Sequence, residues 1–352
     1  MMTLISSISR FCLLGFVFLV LAFTGHQARA EPVELLVYFA GDAGDVPIYT
    51  AAFEKKYSDI KLKFIRSSTG HITARIQSEK ENPQNDVIWR LASTSLIGFS
   101  KDGLLLPYLP KGTDKLEPKF VDRNNDPPHW VGGSGYMAAI CYNTIEAKKL
   151  NLPRPVSWKD LLKPIYKGHL AAPNPSASGT GFINMTTWIY LWGEEEGFKY
   201  MNALHKNMSF YLNSGTAPCR KSASGEVAIA LSWGYGASKL ITKGAPIEFL
   251  TMKEGMGWDL QGSAIMKNTK HPEAAKKLMD YIVSEDAMRL YNKTFVILGI
   301  PAVGKTPPNF PPEAIKTIVD YDFTWNAENR QRLIAKWLDR YAVKVREKKK
   351  KK

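Results

Sequence analysis

The sequence predicts an α/β protein folded as two lobes, and two observations carry that reading. Strand-like and helix-like segments alternate through most of the 352 residues, the pattern of a sheet covered by helices. Two strong apolar strands, YMAAICYNT in mid-chain and IEFLTM further on, can each cross from one lobe to the other. On this reading lobe one takes roughly residues 31–137 and 253–298. Lobe two takes 138–252 and 299–345, and 346–352 form a basic tail expected to be disordered.

The elements follow in order. VELLVYFA is a short apolar strand and DVPIYTAAFEKKY a helix with a core face. IKLKFIRS alternates as a strand, and SSTGHITARIQSEKE opens a helix. DVIWRLA is a strand, and STSLIGFSKDG a helix ended by Gly103. PYLPKG and DRNNDPPHW are loops, and LNLPRPVSWKDLLKPIYKGHLAAPNP is Pro-rich with one short helix. INMTTWIYLWGEEEGFKYMNAL reads as one helix, followed by a strand at SFYLN and a helix around RKSASGE. VAIALSW is a strand and GYGASKLITKG a helix. IEFLTM and SAIMK are strands, and HPEAAKKLMDYIVSEDAMRLYNK is a helix. PPEAIKTIVDY and AENRQRLIAKWLDRYAVKVREK close the chain as helices.

The first thirty residues differ from the rest. One positive charge in MMTLISSISR precedes the apolar run FCLLGFVFLVLAFTG, and HQARA ends in A-x-A form before Glu31. This is the pattern of a cleaved secretory signal peptide, and it places the mature chain in the periplasm. Of the +14 net charge, Arg10, Arg29 and the five lysines 348–352 account for seven, leaving +7 on the body. That modest excess suits an anionic ligand. Such a tail is compatible with lipid or nucleic acid, but no nucleic-acid partner is expected of the body. Cys141 and Cys219 remain after cleavage. An even count in an oxidising compartment permits one disulfide, and two unrelated buried thiols fit as well.

Ligands of such sheets bind where strands end and helices begin, because helix N-termini offer free N–H groups and a positive dipole end. Three places join a strand, small hydroxyl residues and a helix: Ser67-Ser68-Thr69-Gly70, Ser93-Thr94-Ser95 and Ser178-Gly179-Thr180-Gly181. One alone is ordinarily an N-cap. Three, with the last Gly-rich, point to a shared anion pocket, with PNPSASGTGF as a phosphoryl or phosphonyl cradle. Gly299–Thr306, GIPAVGKT, matches the P-loop pattern, but PPNFPP follows and forbids the helix that a P-loop needs. The histidines His71, His129, His169, His205 and His271 are scattered, with no H-E-x-x-H pair and no G-x-S-x-G elbow. No enzyme activity and no cofactor are expected, a secreted phosphate-ester hydrolase being the alternative of another class.

Three stretches, HITARIQSEKENPQNDVIW, SWKDLLKPIYKGHLAAPNPSASGTGF and GMGWDLQGSAIMKNTKHPEAAKKLMDYIVSEDA, resemble bacterial extracellular solute-binding proteins of ABC importers. The resemblance runs over nearly all of residues 31–305. It points to the subgroup that binds ferric iron, 2-aminoethylphosphonate or hexose phosphates. It implies a two-lobed type II periplasmic-binding-protein fold with ligand in the interlobe cleft and delivery to an inner-membrane permease, and a monomer is expected. Ferric members hold iron with an adjacent Tyr-Tyr pair, and a hard ion wants anionic oxygen. Here ALSWGYGASKL offers Trp233-Gly234-Tyr235 with one tyrosine, so the iron site does not carry over. The expected ligand is therefore a small phosphonate or phosphorylated anion, 2-aminoethylphosphonate first and a sugar phosphate next, with ferric iron the alternative. The candidate contacts are Tyr38, Ser68, Thr69, Ser93, Thr94, Ser178, Gly179, Thr180 and Thr216. Trp233, Tyr235 and Trp258 are expected as pocket walls, and Asp259 as partner to an ammonium or to sugar hydroxyls.

Overall fold

A computed structural model of the chain describes residues 31–320 and 322–346. The expected signal peptide and the lysine run lie outside the described residues. Strand β1 (Val33–Phe39) leads to helix α1 (Asp45–Lys56), β2 (Ile60–Arg66) to α2 (Thr69–Ser78), and β3 (Val87–Ala92) to α3 (Ser93–Lys101). Short β4 (Leu105–Leu106) precedes the long β5 (Val131–Asn143) and α4 (Thr144–Lys149). Then come β6 (Leu170–Pro173), α5 (Gly179–Trp192), α6 (Glu194–Asn207), β7 (Met208–Leu212), α7 (Ala217–Ala223), β8 (Ile229–Trp233) and α8 (Gly234–Thr242). The chain finishes through β9 (Ile247–Leu250), β10 (Trp258–Met266), α9 (Pro272–Ile282), α10 (Glu285–Tyr291), β11 (Ile297–Leu298), α11 (Phe323–Tyr341) and β12 (Val345–Arg346).

The strands connect in the order β12-β7-β6-β8-β5-β10-β3-β1-β2. Strand β5 serves two sets of partners. Its residues 131–137 run antiparallel to β10, which also borders β3, and β1 lies parallel to both β2 and β3. Its residues 138–143 run antiparallel to β8 and β9, and β6 lies parallel to β7 and β8. All thirteen residues of β5 are buried. Glycines let neighbours press on it: a Cβ at Gly133 would stand 2.6 Å from the Tyr291 ring. Under the first set lies an aromatic core. Trp89 stacks on Tyr49 at 5.3 Å and donates from Nε1 to the Tyr291 hydroxyl at 2.9 Å. Burial of each such side chain contributes roughly 1.5–3 kcal/mol, and the cluster fixes the neighbouring Arg90.

Several elements depart from the sequence expectation. The apolar run after PNPSASGTGF is two helices, because Gly193 takes φ 82°, which α-helix excludes. The last long helix before residue 297 also divides, at Ser284, whose hydroxyl accepts from Ala287 N–H and caps α10. PPEAIKTIVDY forms only a short 3-10 turn, Pro312–Thr317. The strand expected at SAIMK begins earlier, at Trp258, and LAAP within the Pro-rich passage is a strand. No helix starts at Lys305; its backbone instead exchanges hydrogen bonds with the Asn292 side chain. Among the described residues, no helix is long and apolar enough to cross a membrane.

Candidate functional site

A pocket of about 80 Å³ opens where β1, β2, β6, β7 and β8 end. It therefore draws on both strand sets. The turn after β1 contributes Gly41 and Asp42. The turn after β2 contributes Ser67, Ser68 and Thr69, and the mouth of α5 contributes Ser178, Gly179 and Thr180. Ser214, Gly215 and Thr216 come from the turn before α7, and Trp233 from the end of β8. Arg66, Arg90, Tyr136 and Gln261 complete the wall. Two helices, α2 and α5, begin at this space with their N–H groups and dipole ends toward it.

Local bonds hold these segments in place. The Gly70 N–H donates to Ala177 O at 3.2 Å, so the start of α2 is tied to the approach to α5. A Cβ at Gly179 would stand 2.6 Å from the Tyr136 hydroxyl and 3.0 Å from Thr69 Oγ1, so glycine is required for this approach. Gly181 serves a different purpose. Its missing side chain makes room for its own loop, with Pro173 O at 2.7 Å from a Cβ placed there, rather than for a ligand. The Ser178 hydroxyl accepts from Gly181 N–H at 3.4 Å, a long capping bond, and Ser68 makes no capping bond. Ser232 Oγ donates to Gly215 O at 2.8 Å, and Trp233 Nε1 donates to Thr216 Oγ1 at 3.2 Å, which fixes the third turn.

Arg90 is the buried cation of the site. It sits in β3 with φ 63°, an uncommon backbone state for arginine. Its Nε donates to Gln261 Oε1 at 2.9 Å, and Nη1 donates to Asp45 Oδ2 at 2.7 Å and to the Tyr49 hydroxyl at 2.9 Å. Nη2 has no hydrogen-bond partner. Burial disfavours its charge, but Tyr49 and Asp45 outweigh that and hold its pKa above the usual arginine value. Arg66, exposed at the end of β2, donates from Nε to Gly41 O at 2.6 Å. Asp42 accepts from Lys239 of α8 at 2.9 Å, joining the two sides of the pocket mouth. Burial would raise the Asp42 pKa, but Lys239 and Arg66 bring it below the usual carboxylate value.

Of the residues expected from the sequence, Ser68, Thr69, Ser178, Gly179, Thr180, Thr216 and Trp233 line this pocket. Tyr38 does not; its hydroxyl donates to Glu79 at 2.7 Å, and burial with that carboxylate pushes its pKa up to about 12. Tyr235 packs against Trp233 and lines a separate small cavity. Trp258 packs on Phe323 and donates from Nε1 to Val319 O. Ser93 and Thr94 turn inward and donate to Asp259 at 2.6 and 2.9 Å, so the middle hydroxyl motif serves a buried acid. Sequence reading missed Arg66, Arg90, Ser214, Tyr136 and Gln261. Only Arg90 left a signal, a charge inside the apolar strand VIWRLA.

Asp259 carries a testable consequence. It is fully buried, and burial pushes its pKa up to about 6 against the opposing donors Ser93 and Thr94 and the Arg330 charge. The unfolded chain titrates it near ~3.9. The native state therefore holds this proton more tightly. The acid contributes its full stability below pH ~4, and the contribution is lost as pH rises through about 6, amounting to about 3 kcal/mol at pH 7. Relative to Asp259→Asn, the parent's unfolding free energy should fall by that amount between pH 4 and 7. Parallel urea-unfolding profiles for the two proteins would contradict this.

An α/β chain with an anion-suited pocket set between two strand sets has the architecture of a solute-capturing protein. This chain belongs to the bacterial extracellular solute-binding protein family, whose model matches residues 83–326. It is 33% identical over 297 residues to an uncharacterized protein of Haemophilus influenzae, covering 82% of this chain and 85% of that one. It is 23% identical over 349 residues to a probable ABC transporter periplasmic-binding protein of Sinorhizobium fredii, covering 95% and 93%. Its fold matches the periplasmic binding protein AfuA from Actinobacillus pleuropneumoniae, solved with exogenous fructose-6-phosphate bound. The TM-score is 0.82 at 29% identity, covering 88% of this chain and 99% of that one. The type II periplasmic-binding-protein fold expected from the resemblance is the fold of this chain. The protein is a periplasmic solute-binding component of an ABC importer, a class that captures a solute for a membrane permease and performs no chemistry on it.

Proposed function

We propose that the protein captures a small phosphorylated or phosphonate anion, with a sugar phosphate ahead of 2-aminoethylphosphonate. The supporting observation is the donor set of the pocket. Two helix starts, two guanidinium groups and the hydroxyls of Ser68, Thr69, Ser178, Thr180 and Thr216 surround one small space. A phosphoryl group takes many donors at once, and charge-assisted bonds are the strong ones. The order of the two ligands reverses the sequence expectation for a physical reason. Asp259, assigned there to an ammonium, lies behind Ser93 and Thr94, and the acid that lines the pocket, Asp42, is already engaged by Lys239. A neutral polyol body needs no free carboxylate, and Gln261 offers it an amide. Fructose-6-phosphate in AfuA supports the same order. Ferric iron is disfavoured, since two guanidinium charges repel a trivalent cation and Tyr136 is the one phenol in the wall. The lobes are proposed to part near residues 138 and 253 and to close on the ligand.

The cradle is tested by calorimetric titration of Ser178→Ala and Thr180→Val with fructose 6-phosphate. Each should lose roughly ten- to a hundred-fold in affinity, the equivalent of about 1.5–3 kcal/mol for a bond to a charged group. Loss of the long Ser178 cap alone would cost only about 0.5–2 kcal/mol of stability. Variants that melt lower yet bind like the parent would reduce the stretch to a capped helix.

A further inference from the structure

We propose, on the phosphoryl reading of the pocket, that Lys239 sets the charge class of the captured ligand. By occupying the Asp42 carboxylate, it denies a counter-ion to any ammonium that the ligand carries. Asp42 is the one carboxylate among the described lining residues. Among the described residues its ion-pair partner is Lys239 alone, at 2.9 Å. Lys239 does not itself line the pocket and reaches Asp42 from α8, which follows β8 of the second strand set. Tyr235, one helical turn earlier, steadies it: the Lys239 ammonium lies 5.5 Å from the centre of that ring. The tyrosine expected as a pocket wall thus acts on the pocket through the lysine.

The turn that carries Asp42 is held independently of this lysine. Arg66 Nε donates to Gly41 O at 2.6 Å, and Asp45 N–H donates to Asp42 O at 3.1 Å. Loss of the Lys239 ammonium therefore leaves the carboxylate in the pocket wall without its ion pair. A carboxylate so freed has two effects of opposite sign. It attracts a ligand ammonium, and it repels the phosphoryl group. A simple latch between the two sides of the mouth would behave otherwise, since breaking it from either end would weaken every ligand alike.

The probes are 2-aminoethylphosphonate, its analogue ethylphosphonate, which lacks the ammonium, and fructose 6-phosphate. Each is titrated calorimetrically into the full mature chain, Lys239→Met, Asp42→Asn and the double variant. Methionine keeps the unbranched side chain and the helix propensity of lysine, so the fold should be unchanged. The affinity ratio of 2-aminoethylphosphonate to ethylphosphonate is compared between proteins, which cancels any difference in how the two phosphonates ionise. In Lys239→Met this ratio should rise at least about fivefold over the parent's, because the Asp42 pair lies between an exposed one and a buried one in strength. The same variant should bind fructose 6-phosphate more weakly than the parent. Asp42→Asn should bind it at least as tightly as the parent, and the double variant should return the phosphonate ratio to the parent's value. A parent that binds none of the three anions would overturn the phosphoryl reading and this inference with it. A parent that binds them, with an unchanged ratio in Lys239→Met or an equal loss of all three ligands in both single variants, would overturn the role of Lys239 alone.

Discussion

Arg90→Gln should remove measurable capture of a phosphate monoester and cost about 3–5 kcal/mol of stability, the usual penalty for leaving a buried ion orphaned. The guanidinium bonds Asp45, Tyr49 and Gln261 and also lines the pocket, so one substitution strikes both the fold and the site. The two effects separate in a double variant. Asp45→Asn combined with Arg90→Gln leaves no unpaired charge and should recover most of the lost stability without recovering binding. Urea unfolding and calorimetric titration of the three proteins check this. A single variant that binds like the parent would remove Arg90 from the site.

Loss of the disulfide should have a stability effect of the same size. Cys141 of β5 and Cys219 of α7 are bonded, with Cα atoms 5.5 Å apart and 78 positions between them in sequence. Sequence reading had left this pair open. Closing so long a loop in the unfolded chain is worth about 4.5 kcal/mol in the chain-entropy account. Both sulfurs are fully buried, so Cys141→Ser with Cys219→Ser also hides two hydroxyls. The urea midpoint should fall by roughly 1 M or more. The parent under reducing conditions should behave alike, and a midpoint equal to the oxidised parent's would contradict the estimate.

Much of the fold was legible because each β–α unit announces itself locally. Alternation in IKLKFIRS and the apolar run DVIWRLA need no tertiary information. Gly193 and Ser284 were also visible, yet a helix tolerates an isolated glycine or serine, and only the observed backbone shows that these two break theirs. The site was half legible for a similar reason. Hydroxyls at a strand end before a helix mark the carboxyl edge of the sheet, which found Ser68, Thr69, Ser178 and Thr180. The same pattern at Ser93 and Thr94 looked identical, but those side chains point at Asp259, a neighbour 165 residues or more away in sequence. Arg66, Tyr136 and Gln261 reach the pocket through strand order and register, which no local pattern encodes.

The most direct test is calorimetric titration of the mature protein with fructose 6-phosphate and, separately, with fructose. If the pocket is built around a phosphoryl group, the phosphate ester binds one per chain and at least about a hundredfold more tightly than the free sugar, about 2.7 kcal/mol in favour of the ester. No saturable heat with the ester, or equal affinity for the free sugar, would contradict the account.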